Sequence, residues 1–297
     1  MTALDLVDTW PVPHVSAASI VVAPGTVPVV VTHGDPYHSY RLASISKPMT
    51  AWAALVAVEE GIVSLDDPVG QPSCTLRHLL AHAGGYPFDG RDPISAPGKR
   101  RIYSNGGIEL AADHVAAAAG MPFAQYLAEA VFQSLGMTAS ELRGSPAYAV
   151  WSTLTDTVRF ALELITPTLL SPATAASAVA PVFGGLRGVV PGVGTYDDCV
   201  WGLGVEIRDT KQPHWTGSRN STGAFGHFGG AGTLLWVDLG AVHDRAVACV
   251  ALTDRPFDEW AADALRLWPQ LSDAVIAEAS AAAGPAGAIT GTVTEGR

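Results

Sequence analysis

The stretch Ser44-Ile45-Ser46-Lys47-Pro48-Met49-Thr50-Ala51-Trp52-Ala53-Ala54-Leu55-Val56-Ala57-Val58-Glu59-Glu60-Gly61 decides how this chain is read. From Ser46 to Glu60 it is nearly all helix-forming or apolar. Pro48 falls in the first turn, where a missing N–H is harmless, and Gly61 lies just past the end. A helix apolar on every side has no face to give to water and belongs inside the molecule. Yet its first turn carries Lys47, and Ser44 stands three residues earlier, so the two side chains share one face, one turn apart. Lysine is scarce here: of 17 cationic residues only Lys47, Lys99 and Lys211 are lysines. Arginine keeps its proton in proteins, whereas a desolvated lysine can lose one and serve as a base. A serine hydroxyl attacks only when a neighbour takes its proton, and Lys47 is placed to do so. Lys99 and Lys211 have Ala96 and Arg208 at the corresponding position, so S-x-x-K occurs once, and surface roles suffice for those two lysines.

Outward from this helix the period of the sequence changes. Upstream, residues 14–23 and 28–35 read as a β-hairpin, followed by a short third strand over 37–43. Downstream, 62–200 is helical and loop-rich, with helices expected over 75–84, 108–120, 123–136 and 154–165. Long Pro/Gly/Asp loops at 87–101 and 181–198 are candidates for function. Strand character returns at 199–208, 224–232, 232–239 and 245–254, before a last amphipathic helix over 257–280 and a tail, 284–297, that reads as frayed. Strands, then helices, then strands and a helix give an α+β fold with two units: a sheet domain from 1–67 and 199–297, and a mainly helical inserted domain over 68–198.

Composition narrows the function. The net charge is −11 over 297 residues, and only 15% of positions are charged while 48% are hydrophobic. This excludes a disordered chain and makes nucleic acid an unsuitable partner, since duplex binding needs clustered cations. No apolar run is long enough to cross a bilayer and no secretory signal is visible, so a cytoplasmic location is expected. Cys74, Cys199 and Cys249 lie far apart and read as reduced, buried thiols. His78 and His82 stand four apart, but there is no H-E-x-x-H and no evident third ligand; neither a metal nor a cofactor is expected.

Two further elements bear on Ser44 and Lys47. Tyr103-Ser104-Asn105 is the one Y-x-N in the chain, after a loop and before a helix. A phenol beside a lysine ammonium is pushed toward phenolate and can carry a proton, while an Asn amide can orient a substrate carbonyl. His227-Phe228-Gly229-Gly230 falls on an expected strand, where glycines admit a substrate close to the backbone and offer N–H groups to an oxyanion.

With these motifs in this order, the chain resembles the serine β-lactamase and penicillin-binding-protein-like hydrolases, in their class C β-lactamase, D-aminopeptidase and esterase branch. The resemblance runs through RLASISKP, TLRHLLAHAGG, PGKRRIYSNGG, FAQYLAEAVFQSLGMT, STLTDTVRFA, WGLGVEI and GHFGGAG. It implies a β-lactamase/transpeptidase-like fold, an antiparallel sheet flanked by helices. It also implies an acyl-enzyme on Ser44, with Lys47 and Tyr103 sharing the proton transfers and Asn105 holding the acyl side. The N–H groups of Ser44 and Gly230 would form the oxyanion hole, with Gly229 admitting close approach. His227 stands where many β-lactamases carry Lys, and Phe228 where they usually carry Thr or Ser, so two groups suited to a β-lactam carboxylate are missing. The expected activity is esterase-like hydrolysis of a small ester or amide; the alternatives are a weak β-lactamase or D-amino-acid peptidase, and a catalytically silent binding module.

Overall fold

Alternation inside the expected strands builds the sheet that carries the site. The structure, a computed structural model, describes residues 2–283; the tail over 284–297 lies outside them. In chain order the elements are β1 (Val15–Val22), β2 (Val29–His33), β3 (Tyr40–Arg41), α1 (Ser46–Glu59), α2 (Leu76–Leu80), α3 (Asn105–Ala119) and α4 (Phe123–Leu127). There follow β4 (Glu141–Leu142), β5 (Val150–Ser152), α5 (Leu154–Ile165), α6 (Pro172–Ala178), β6 (Gly188–Val190) and β7 (Gly194–Tyr196). The chain then returns through β8 (Glu206–Ile207), β9 (Phe225–Gly229), β10 (Thr233–Val242), β11 (Arg245–Thr253) and α7 (Ala261–Ala281).

Six strands form one antiparallel sheet in the order β2-β1-β11-β10-β9-β8. Successive side chains of a strand point to opposite faces, and here both faces are covered. In β11, Ala248, Val250 and Leu252 join the core beneath α1 and α5. Val247, Cys249 and Ala251 join the core beneath α7 and the N-terminal turn. Burial on both faces is why β11 reads as a nearly continuous apolar run instead of a polar–apolar alternation. All residues of α1 from Ser46 to Ala57 are buried, as its composition requires. The strands of this sheet come from residues 15–33 and 206–253, whereas five helices, α2 to α6, come from 76–178. This is the mixed, antiparallel α+β architecture of the β-lactamase/transpeptidase-like fold.

The structure departs from the sequence reading at several elements. The third strand shrinks to Tyr40–Arg41 and pairs with β5, not with β2. The positive-φ Gly34 and the Pro36 that follows turn the chain off the sheet, and Tyr40 is anchored by its hydroxyl, 2.8 Å from Ser16 Oγ. The strand expected over 199–208 is confined to Glu206–Ile207, because Gly202 and Gly204 make a tight turn in which the Gly202 N–H donates to Val205 O. The helix expected over 123–136 begins as α4 but widens to π geometry from Ala128 to Gln133. The helix α6 and the β6–β7 hairpin, the latter inside the expected 181–198 loop, carried no clear periodic signal. All three cysteines are buried and free. No single helix among the described residues is long and apolar enough to cross a membrane.

Candidate active site

Ser44 lies in a 3₁₀ turn, Ala43–Ile45, that runs directly into α1. The residue before it, Ala43, has φ of 48°, a left-handed conformation that L side chains rarely adopt and that surrounding structure must enforce. Part of that enforcement comes from β9. A Cβ on Gly229 would lie 2.4 Å from Leu42 O and 3.1 Å from the Ala43 Cβ, so only glycine lets β9 press against the turn. Thr233 Oγ1 donates to Leu42 O at 2.9 Å and fixes the same turn from β10.

Lys47, fully buried, reaches back along α1. Its Nζ lies 3.0 Å from Ser44 Oγ, 2.7 Å from Asn105 Oδ1 and 2.9 Å from Ala147 O. Burial pushes its pKa well below the ordinary lysine value, against the opposing charges of Asp89 and Glu109. Asn105 Oδ1 and Ala147 O can only accept from Nζ, while the third partner, Ser44, is a hydroxyl that can accept from Nζ or donate to its lone pair once the amine is neutral.

Tyr103 completes the contact from the other side: its hydroxyl donates to Ser44 Oγ at 2.7 Å. The Y-x-N segment is stitched in place around α3. Ser104 caps the helix, its hydroxyl accepting from Gly107 N at 2.9 Å; its own N–H donates to His82 Nδ1, and Asn105 N–H donates to Phe88 O. The Tyr103 ring packs 4.7 Å from His82, 5.7 Å from Trp201 and 5.7 Å from His227, with Lys47 Nζ 4.6 Å from its centroid. Burial raises the Tyr103 pKa, with the hydrogen bond to Ser44 opposing. Burial thus acts in opposite directions on the two groups, favouring the neutral amine of Lys47 and the protonated phenol of Tyr103, and so opposes the shift toward phenolate that a neighbouring ammonium would cause.

Asn105 Oδ1 accepts from Lys47 and its Nδ2 donates to Asp89 Oδ1 at 2.9 Å, so the amide fixes the direction of Lys47. Asp89, in the loop after α2, carried no sequence signal beyond the length of its loop.

His227 lies on β9, buried, with Nδ1 2.6 Å from Phe228 O. A carbonyl oxygen only accepts, so Nδ1 carries the proton and Nε2, which has no partner, presents a lone pair. Burial, then the proximity of Lys47, lowers its pKa to about 3, so the ring is neutral at physiological pH. Phe228 turns into an aromatic cluster with Trp215, Phe257 and Trp268 at 5.7, 5.3 and 5.6 Å. Ser44 and Gly230 open onto one cavity of about 440 Å³ with Tyr103, Val190, Phe228 and Phe257 among its walls. Gly192, with φ of 77°, brings the β6–β7 hairpin against Phe257: a Cβ there would sit 2.7 Å from that ring. The charged group on this wall without a partner among the described residues is the exposed carboxylate of Asp258. Glu206, the one buried carboxylate on its wall, is tied to Lys211 at 3.2 Å, His214 at 3.3 Å and Trp215 at 2.6 Å. The surface role expected for Lys211 is thus corrected: it is buried, and it also donates to Val200 O and Ile207 O. His78 and His82 do not converge, His78 stacking on Phe183 while His82 sits beneath Tyr103.

Such a constellation defines a class: a serine hydroxyl held between a lysine amine and a tyrosine phenol at the head of a buried helix. The sequence model of the Beta-lactamase family matches residues 14–271, and the chain belongs to that family of serine hydrolases. Among solved structures it is similar to a β-lactamase from Mycobacterium bovis, at 46% identity and a TM-score of 0.87, over 94% of this chain and 100% of that one. Simvastatin synthase from Aspergillus terreus shares the fold at 17% identity and a TM-score of 0.71, over 93% of each chain. EstCE1, described as a hydrolase with promiscuous acyltransferase activity, does so at 18% identity and 0.69, over 92% of this chain and 96% of that one. Among curated proteins, penicillin-binding protein 4* of Bacillus subtilis is 29% identical over 131 residues, which span 33% of this chain and 29% of that protein. The stretch matched in the AmpH carboxypeptidase/endopeptidase of Escherichia coli spans 37% of that protein, at 27% identity.

Proposed function

We propose that this protein hydrolyses small esters with an uncharged acyl group through an acyl-enzyme on Ser44. The observation that carries the reading is the pair of contacts on Ser44 Oγ, Lys47 Nζ at 3.0 Å and Tyr103 hydroxyl at 2.7 Å, in a cleft with apolar walls. Neutral Lys47 takes the Ser44 proton as Oγ bonds to the substrate carbonyl carbon. The oxyanion is met by the backbone N–H groups of Ser44 and Gly230. Tyr103 delivers its proton to the leaving oxygen as the C–O bond breaks, and is reprotonated from Lys47. Water then attacks the acyl-enzyme by the same route in reverse, releasing the acid and restoring the Ser44 hydroxyl. Asn105 and Asp89 act through Lys47 as positioning residues.

The preference for an uncharged acyl side rests on His227 and Phe228. A neutral imidazole and a phenyl ring offer no cation or hydroxyl to a carboxylate, which favours an ester over a β-lactam or a peptide with a free C-terminus. The fit of the cleft to apolar groups, and the hydrolase and acyltransferase descriptions of EstCE1, point the same way.

Two measurements test the proton path. Lys47→Ala is expected to lower kcat/KM for p-nitrophenyl butanoate by about 10² to 10⁴. In the wild type the basic limb of the pH–rate profile should level off well below the ordinary lysine value of 10.5, because the base is already deprotonated there. A limb still rising through that value would remove Lys47 from the role. Tyr103→Phe should reduce turnover of an alkyl ester by about 10² to 10⁴. The p-nitrophenyl ester, whose leaving group departs without a proton, should lose much less; equal losses would contradict a proton-donor role.

A further inference from the structure

A second cavity, of about 310 Å³, adjoins the first and shares Phe88, Tyr103 and Pro191 with it. Ser44 and Gly230 line the inner cavity alone, while the outer one is walled by Ile94, Ile102, Val189 and Arg100. Its rim carries exposed apolar side chains, with Phe88 50%, Ile94 66% and Val189 48% accessible, in a molecule that buries most of its apolar groups. Such a patch beside a reactive serine marks a place that a ligand covers.

The charges there are unusual as well. Among the described residues only Lys99, Arg100 and Arg219, of the cationic side chains, make no hydrogen bond or ion pair; Arg100 lines this cavity and Lys99 precedes it in the chain. Arg101, beside them, is fully engaged by the carbonyls of Ala81, Val182, Phe183 and Cys199, which holds the segment still. In a chain of net charge −11, an anion approaches only where local cations overcome the general repulsion.

We propose that the outer cavity is a leaving-group subsite, which takes an alcohol or phenol with an apolar body and an anionic end, the anion meeting Arg100 and Lys99. The proposal rests on the hydrolase reading above. In that reading Tyr103 protonates the leaving oxygen, so the departing group emerges on the side that Tyr103 and Phe88 share with the outer cavity. The acyl part stays in the inner cavity, whose free charged group, Asp258, is a carboxylate that repels a second anion. The specificity is split: neutral on the acyl side of the scissile bond, anionic at the far end of the leaving group.

The test uses two esters of one acyl group, the butanoates of 3-(4-hydroxyphenyl)propanoic acid and of its primary amide. Two methylenes insulate the phenol, so the chemistry of the leaving oxygen is the same in both. Wild type should favour the acid in kcat/KM by about fivefold at low ionic strength, and the preference should fade in 0.5 M salt, roughly as screening over a few ångströms requires. Arg100→Ala should bring the acid-to-amide ratio near one, and Lys99→Ala should lower it in part. Arg219→Ala, a partnerless cation away from the cleft, should leave the ratio as it is. A wild-type ratio near one with good turnover of the amide overturns the subsite and leaves the hydrolase reading standing. So does an equal fall of the ratio in the Arg219 variant. Absence of turnover of both esters, with p-nitrophenyl butanoate also untouched, overturns the hydrolase reading and the subsite with it.

Discussion

Ser44→Ala should abolish ester turnover, lowering kcat/KM for p-nitrophenyl butanoate by about 10⁴ or more. The size of the effect follows from the geometry. Lys47 Nζ, Tyr103 hydroxyl and the first turn of α1 all converge on one oxygen, and no other hydroxyl occupies that point. The substitution removes the atom that forms the covalent bond, and the remaining groups can only polarise a bound ester. The fold should be unaffected, because Ala43, Leu42 and Gly229 hold the turn through backbone contacts that do not use the hydroxyl. Equal hydrolysis rates in the two proteins would sink the assignment.

The largest expected effect on stability lies one strand away. Glu206→Gln leaves Lys211 buried without a counter-charge, and breaking a buried pair on one side typically costs about 3–5 kcal/mol. In a protein of this size that corresponds to a fall in Tm of roughly 10 °C. The double variant Glu206→Gln/Lys211→Met should recover part of the loss, since no orphaned charge remains. Acid titration gives a second readout. Burial alone would raise the Glu206 pKa, but the Lys211 charge, then His214 and the hydrogen bonds from His214 and Trp215, outweigh it and hold the group at about 2. A carboxylate depressed in the folded state contributes stability above its unfolded value, here 4.5, and loses it as pH falls toward about 2. The difference between wild type and Glu206→Gln should therefore be constant above about pH 5 and shrink across that window. A shift in Tm under about 2 °C would show that the network does not hold the sheet edge.

What could be read from the sequence was what depends on neighbours along the chain. Ser44 and Lys47 are three apart on one helix, so their meeting follows from helical geometry alone. The buried character of α1, the pairing of β1 with β2 and the amphipathic α5 are likewise local patterns. Tyr103 came into view through its motif, and its position against Ser44, 59 residues away, required the fold. The charge states did not follow from residue types. A lysine ammonium was expected to push Tyr103 toward phenolate, whereas burial acts on both groups at once, in opposite directions, favouring the neutral amine and the protonated phenol. Asn105 could not be recognised as a partner of Lys47, because Asp89, which takes its other end, comes from a loop without periodicity. The ties of Lys211, His214 and Trp215 to Glu206, and the walls formed by Val190 and Phe257, arise where the β6–β7 hairpin, β8 and the start of α7 meet, and no single segment encodes that meeting.

The measurement closest to the central claim is intact-protein mass spectrometry after rapid acid quench during turnover of p-nitrophenyl butanoate. The account predicts a butanoyl adduct on the wild type that maps to the peptide carrying Ser44 and is missing from Ser44→Ala. Turnover without an adduct at Ser44, or an adduct that persists in the variant, would contradict it.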